Sequence, residues 1–254
     1  MDYKGYLISH GGKIRSNNED NGYLDGQYRK DDRCFFWKCN HEKKGSILAG
    51  VFDGVGGEDC GEIASRIAAE TLDSIGKKGR VSAMFEKYVH IANRKILDAA
   101  DDSGMASTFV LLSVEDDVYH FCNMGDSRGY LLRGRKLFKM TKDHNMVSKM
   151  VARGVLTPEQ ARNHPDRHTI YQYLGMRTDE GMVIEPYIGG AVRALKGDIC
   201  LLCSDGLTDM VTEVKIATIL AGDHLLEDKA RILLETALNN GGRDNITILL
   251  TESK

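Results

Sequence analysis

Four aspartates of this chain share one setting. "ILAGVFDGVGG" runs apolar to Phe52 and stops at Asp53-Gly54, and "DICLLCSDGLTD" repeats the pattern at Asp205-Gly206. "YHFCNMGDSRG" delivers Asp126 after an apolar run and a glycine, and "NNGGRDNITILL" places Asp244 as the last charged residue before another such run. A single aspartate at a strand end is explained by its habit of bonding nearby backbone N–H groups. Four of them project from rigid elements into loops, and if those loops converge, their oxygens make a site for a hard cation, Mg²⁺ or Mn²⁺. Asp53 is then a ligand, and Gly54, having no side chain, lets its own carbonyl approach the same ion. A phosphate-cradling loop fits less well. "GVGGEDCG" puts Asp59 where the third glycine of G-x-G-x-x-G is required, and no G-K-[ST] follows. Near the N-terminus, "GGKIRSNNEDNGYL" sets Arg15 four residues before Glu19 and five before Asp20. A planar guanidinium suits bidentate capture of phosphate, and adjacent acids suit a metal or its waters.

The elements that must position these residues follow from periodicity. Apolar, β-branched runs predict strands near 5–9, 46–52, 106–114, 118–124, 129–133, 183–188, 198–203 and 246–251. Several are close enough to pair as antiparallel hairpins, such as the two either side of "SVEDDVYHF". "EDKARILLETALNN" has helical spacing, with Ala230, Leu233, Leu234, Ala237 and Leu238 on one face and Gly241 as a stop. Helices are also expected from Glu58 to Ser74 and Val81 to Ala100, joined by the break "GKKGR", and after Thr212, whose hydroxyl can cap. Helices in groups separated by runs of strands predict an α+β fold of layers, two mainly antiparallel sheets between helix layers.

The chain has 254 residues, 42% hydrophobic and 28% charged, and neither linker nor repeat divides it, so one domain over 1–254 is expected. A net charge of −3 with dispersed Lys and Arg excludes the electrostatic footprint of a nucleic-acid binder. No apolar run approaches the roughly 18 residues of a membrane span, and the first residues lack a secretory h-region, so a cytoplasmic protein is expected. Cys200 and Cys203 form a C-x-x-C within a strand pattern, where positions three apart face opposite ways and cannot share a zinc ion. The six cysteines are read as reduced and structural.

In order, "RSNNED", "VFDGVGG", "ASTFV", "NMGDSR", "CSDGLTD" and "GGRDNIT" together resemble the metal-dependent serine/threonine protein phosphatases of type 2C, the PPM family, from Gly5 to Thr251. The length and the segment from Lys142 to Gly175 look like its short bacterial branch. The resemblance implies a four-layer αββα sandwich. It also implies a binuclear Mn²⁺ or Mg²⁺ centre bridged by Asp53, with the Gly54 carbonyl on one ion and Asp205 and Asp244 on the other. By the same similarity Glu19 and Asp20 hold that ion's water shell, Asp126 with Asp205 makes a third, weaker site, and Arg15 grips the substrate phosphate. The implied activity is hydrolysis of phosphoserine and phosphothreonine in proteins by water activated between the ions, with no protein nucleophile. The implied partners are phosphoproteins, including a cognate bacterial serine/threonine kinase, and the implied state is a monomer. A catalytically silent phosphoprotein-binding module of the same fold is the alternative.

One departure stands out. Many family members carry His directly after the Asp-Gly, as proton donor to the leaving alkoxide, and here that position is Val55. The proton must then come from a metal-bound water or another residue. His164 and His168, in a segment resembling the family's flap, are the side chains to examine.

Overall fold

The computed structural model describes residues 1–32, 34–55, 60–76, 79–100, 104–178 and 182–254. Among the described residues, the strands form two main antiparallel sheets. Their elements in chain order are β1 (Asp2–His10), β2 (Asn21–Leu24), β3 (Gln27–Tyr28), β4 (Phe36–Lys44), β5 (Ile47–Phe52) and β6 (Gly54–Val55). Helices α1 (Gly61–Ile75) and α2 (Val81–Ala99) follow, then β7 (Ala106–Ser107), β8 (Phe109–Glu115), β9 (Val118–Met124), β10 (Arg128–Arg133) and β11 (Lys136–Lys139). After α3 (Met146–Ala152) and α4 (Pro158–Arg162) come β12 (Tyr187–Ile188), β13 (Val192–Arg193) and β14 (Ile199–Cys203), with α5 (Asp205–Thr208), α6 (Glu213–Leu220), α7 (Leu226–Asn239) and β15 (Ile246–Ser253) closing the chain. One sheet runs β11-β10-β14-β15-β1-β4; the other runs β12-β9-β8-β5-β2-β3, with β13 also on β9.

Period-2 alternation builds the layers. On β5, Ile47, Ala49 and Val51 face a core between the sheets shared with Leu7, Leu202 and Leu249. Leu48 and Phe52 face the other way, onto Leu72, Phe85 and Tyr88 of α1 and α2. On β14, Cys200 and Leu202 point between the sheets, while Leu201 and Cys203 point at α5, α6 and α7 through Leu207, Ile216 and Leu233. The result is helix pair, sheet, sheet, helix group, the expected αββα order. Each fully buried leucine or phenylalanine contributes about 1.5–3 kcal/mol by leaving water. The two cysteines of the C-x-x-C lie on opposite sheet faces, and neither is in a disulfide.

The expected strand at 118–124 is β9, and its hairpin with β8 turns through Asp116 and Asp117 at φ +50° and +58°, the left-handed pair that a two-residue turn requires. Thr212 caps α6 by accepting the Lys215 N–H. Glu58, the expected start of the first helix, lies outside the described residues, and α1 begins at Gly61. Three differences stand out. The 183–188 strand shrinks to Tyr187–Ile188. β4 was not expected because Lys38, Asn40, Glu42 and Lys44 share its solvent face, which suits a sheet edge and dilutes the apolar signal. Asp205 opens a one-turn helix instead of ending a strand. Among the described residues no helix is long and apolar enough to cross a membrane.

Register brings the acids together. Arg128 of β10 lies opposite Cys203 of β14, which lies opposite Ile248 of β15, and Ile246 lies opposite His10. The loops holding Asp126, Asp205, Asp244 and residues 11–20 therefore leave one end of the first sheet. In the second sheet Asn21 lies opposite Phe52, so Asp20 and Asp53 leave that sheet side by side.

Candidate functional site

At this end of the sandwich Arg15, Glu19, Asp53, Gly54, Val55, Thr108, Asp126, His168, Ile170, Asp205 and Asp244 line an open cavity of about 330 Å³. Seven of the eight residues singled out by the sequence are therefore on one wall. The eighth, Asp20, sits behind it, 1% exposed, with its Oδ2 accepting the Ser204 hydroxyl at 2.6 Å.

The electrostatics are those of acids crowded without enough cations. Burial, then Asp20, Asp205, Asp244 and Asp126, push the Asp53 carboxyl well above its ordinary range. Burial also raises Asp20 and Asp126, each to about 7, with further acids adding to the effect. Asp20 Oδ1 is buried with no hydrogen-bond partner. Carboxylate oxygens in a majority among the donors, like-charge crowding and an orphaned carboxylate oxygen are what hard divalent cations relieve, so the residues fit Mg²⁺ or Mn²⁺. Two basic groups meet the rim. Arg15 donates to Asp244 Oδ2 at 2.8 Å and remains half exposed. His168 places Nδ1 3.3 Å from Asp205 and Nε2 3.4 Å from Asp209, and its hydrogen bond to Asp205 raises its pKa above the usual value. The two histidines thus separate, because His164 turns its Nδ1 to the Asp166 N–H at 3.2 Å and does not line the cavity.

Glycine after Asp53 and after Asp205 has a packing reason. A Cβ on Gly54 would sit 2.1 Å from the Gly61 carbonyl oxygen, and one on Gly206 would sit 2.0 Å from the Asn245 carbonyl oxygen. Gly206→Ala is expected to displace the Asp244–Asn245 segment, lower stability by about 1–3 kcal/mol and weaken Mn²⁺ binding together. Denaturant melts and a Mn²⁺ titration check this, and an unaltered variant in both contradicts it.

A buried polar layer supports the wall, and the sequence reading missed it. Asn245 Oδ1 accepts the Glu19 N–H at 2.7 Å, while its Nδ2 donates to the carbonyls of Gly11 and Asn17. Arg29, 2% exposed, donates to the carbonyls of Asn18 and Asp20, both at 2.7 Å, and so clamps the loop that carries Glu19. Thr108, whose N–H donates to the Asp53 carbonyl at 2.8 Å, shares a hydrogen bond at 2.7 Å with the hydroxyl of Ser127, the residue after Asp126. Within the local sequence only "RDN" and "AST" hint at these roles, because the partners are distant along the chain.

Comparison with known proteins decides the family. The sequence profile of Protein phosphatase 2C matches residues 9–150. Protein phosphatase PhpP of Streptococcus pneumoniae is 34% identical over 253 residues, covering 96% of this chain and 95% of that one. The chain belongs to the protein phosphatase 2C family. As a member of that family it superposes on the serine/threonine phosphatase of S. agalactiae with a TM-score of 0.83 at 30% identity, over 99% of this chain and 100% of the other. The catalytic domain of the phosphatase PstP, solved in complex with two manganese ions, superposes with a TM-score of 0.79 at 30% identity, over 99% of both chains.

Proposed function

We propose that this chain hydrolyses phosphoserine and phosphothreonine monoesters in proteins, with Mn²⁺ or Mg²⁺ as cofactor. The observation that carries the reading is the convergence of Asp53, Asp126, Asp205 and Asp244 with Arg15 on one cavity. Asp53 and the Gly54 carbonyl, with Asp205 and Asp244, would hold two ions; Asp126 with Asp205 would hold a weaker third; Glu19 and Asp20 would orient the water shell. Bound there, the ions supply charge that lowers the pKa of the attacking water and neutralises phosphate oxygens. The full acid set argues against a catalytically silent binding module.

The protein's own groups do the rest. Arg15, held by Asp244 and half exposed, presents its guanidinium to an incoming phosphate dianion. Val55, 43% exposed on the cavity wall, gives no proton. His168 is the side chain on this cavity that could supply one, its pKa raised above the usual value by its hydrogen bond to Asp205 and by the nearby charges of Asp205 and Asp209. An alkoxide leaving group needs that proton and a nitrophenolate does not. His168→Gln is therefore expected to slow a phosphoserine peptide about 10²-fold while changing p-nitrophenyl phosphate little, and Val55→His to flatten the dependence on leaving-group pKa. Equal effects on both esters reject this proton route.

We also read residues 1–254 as one catalytic domain, because β1 pairs with β15 along its length. The finer reading is a cytoplasmic monomer whose phosphoprotein substrates include the serine/threonine kinase it opposes; phosphoproteomics after gene deletion tests that pairing. For the activity itself, phosphate release from a phosphothreonine peptide should require Mn²⁺ and stop in EDTA. Release that persists in EDTA contradicts the reading.

A further inference from the structure

A second open cavity, of about 280 Å³, lies next to the first and shares none of its lining. Among its lining residues are Arg94, Leu97 and Asp98, at helical spacing on one face of α2, with Met105, Gly175 and Arg177. The wall between the two cavities is short. The chain passes from Met105, on the second cavity, to Thr108, on the first, in three residues. Three extended residues span at most about 10 Å, so the cavities come within that distance of each other. Exposed Val55, on the first cavity, pairs with Ala106 along this path.

The backbone of the wall is held in place. Segment 170–175 runs from Ile170, on the first cavity, to Gly175, on the second, and Leu174 exchanges two N–H to carbonyl bonds with Ser107, at 3.0 and 2.8 Å. Asn93 of α2, 5% exposed, accepts the Gly175 and Met176 N–H groups on its Oδ1 at 2.7 and 2.9 Å, and its Nδ2 donates to the Met176 carbonyl at 3.1 Å. Gly175 holds φ +91°, and a Cβ there would lie 2.4 Å from the Met105 carbonyl oxygen. A ligand entering this cavity therefore meets a preorganised surface.

The charges say what that ligand is. Arg94 donates from Nε to Asp98 at 2.9 Å, and the two side chains are 78% and 62% exposed. A pair so exposed is worth less than about 1 kcal/mol, and it uses one kind of N–H on a guanidinium that carries five. Arg177 is exposed as well. Among the described residues lining the cavity, two arginines thus stand against one aspartate. One net positive charge matches a carboxylate, and forked donors suit its two oxygens.

We propose that this cavity is a specificity subsite, where Arg94 and Arg177 receive the carboxylate of an aspartate or glutamate about three to five residues from the phosphorylated residue of the protein substrate. The proposal rests on the reading of the first cavity as the phosphatase site. An extended substrate with its phosphoryl group there crosses Val55 and reaches the second cavity at that spacing. Because the contact is remote from the reacting phosphorus, it acts on substrate and transition state alike and so lowers KM more than it raises kcat.

The test uses the full chain in Mn²⁺ and a phosphothreonine peptide of otherwise neutral sequence. One glutamate is moved along the peptide from five residues before the phosphothreonine to five after, with glutamine at the same place as the control. At a position in the expected range, glutamate should raise kcat/KM about 5–10-fold over glutamine, chiefly through KM, and raised salt should shrink the gain. In Arg94→Glu/Arg177→Glu that position should favour lysine over glutamate, a reversal that mere loss of structure does not produce. The same variant should hydrolyse p-nitrophenyl phosphate and the neutral peptide at near wild-type rates. A gain below about twofold at every position overturns the proposal, as does a glutamate preference that survives the charge reversal. A wild type that releases phosphate from none of the peptides overturns the phosphatase reading and the proposal with it, so the two failures are distinguishable.

Discussion

Asp53→Asn is expected to lower Mn²⁺-dependent phosphate release by about 10³-fold or more, a loss of about 4 kcal/mol of transition-state stabilisation. The same substitution is expected to raise the melting temperature in EDTA. Both effects come from one cause. Asp53 is crowded by Asp20, Asp205, Asp244 and Asp126, so its charge is unfavourable until cations arrive. Asparagine keeps the shape, removes the charge that would hold the ions, and relieves the repulsion that they would have neutralised. Steady-state kinetics and thermal melts on one preparation check the pair. A variant that keeps turnover, or melts below the wild type in EDTA, contradicts the account.

The second large effect is on stability against pH. Asp20 and Asp126 are raised to about 7 and Asp53 well above the ordinary carboxylate range, in each case chiefly by burial. In the unfolded chain these groups titrate near 4. Between those limits the metal-free native state holds protons that the unfolded state has lost, so stability falls as pH rises, by about 1.4 kcal/mol per pH unit for each such proton. It is regained as pH falls through the raised values. Bound cations replace the protons, so Mn²⁺ should stabilise strongly above pH 7 and little at pH 5. At 100 times the dissociation constant the gain is about 2.7 kcal/mol, and a chain of this size then melts about 5–10 °C higher. Melts in EDTA and in Mn²⁺ across this range, with Asp53→Asn as the control for other carboxylates, measure it. A Mn²⁺ shift that is the same at pH 5 and pH 8 contradicts it.

Local chemistry made the acids legible. Each Asp follows or precedes an apolar run within a few residues, and Asp-Gly marks a turn whatever the rest of the chain does. Alternation likewise assigns Cys200 and Cys203 to opposite faces of one strand, as they lie in the sheet. What could not be read was any role created by a distant partner. Nothing in "RDNIT" says that Asn245 bonds the Glu19 N–H, 226 residues away, or in "CSDG" that Ser204 bonds Asp20, 184 residues away. Arg29 is invisible for the same reason, since its work is done on main-chain carbonyls that any residue could offer. The flap helices escaped because α3 and α4 have seven and five residues, too few for a period to register.

The most direct measurement is an anomalous difference map at the manganese edge from crystals soaked in Mn²⁺. Two strong peaks in the cavity, in contact with Asp53, Asp205 and Asp244, are the predicted result, with a weaker third between Asp126 and Asp205. Manganese bound elsewhere, with those carboxylates still touching none, would contradict the account.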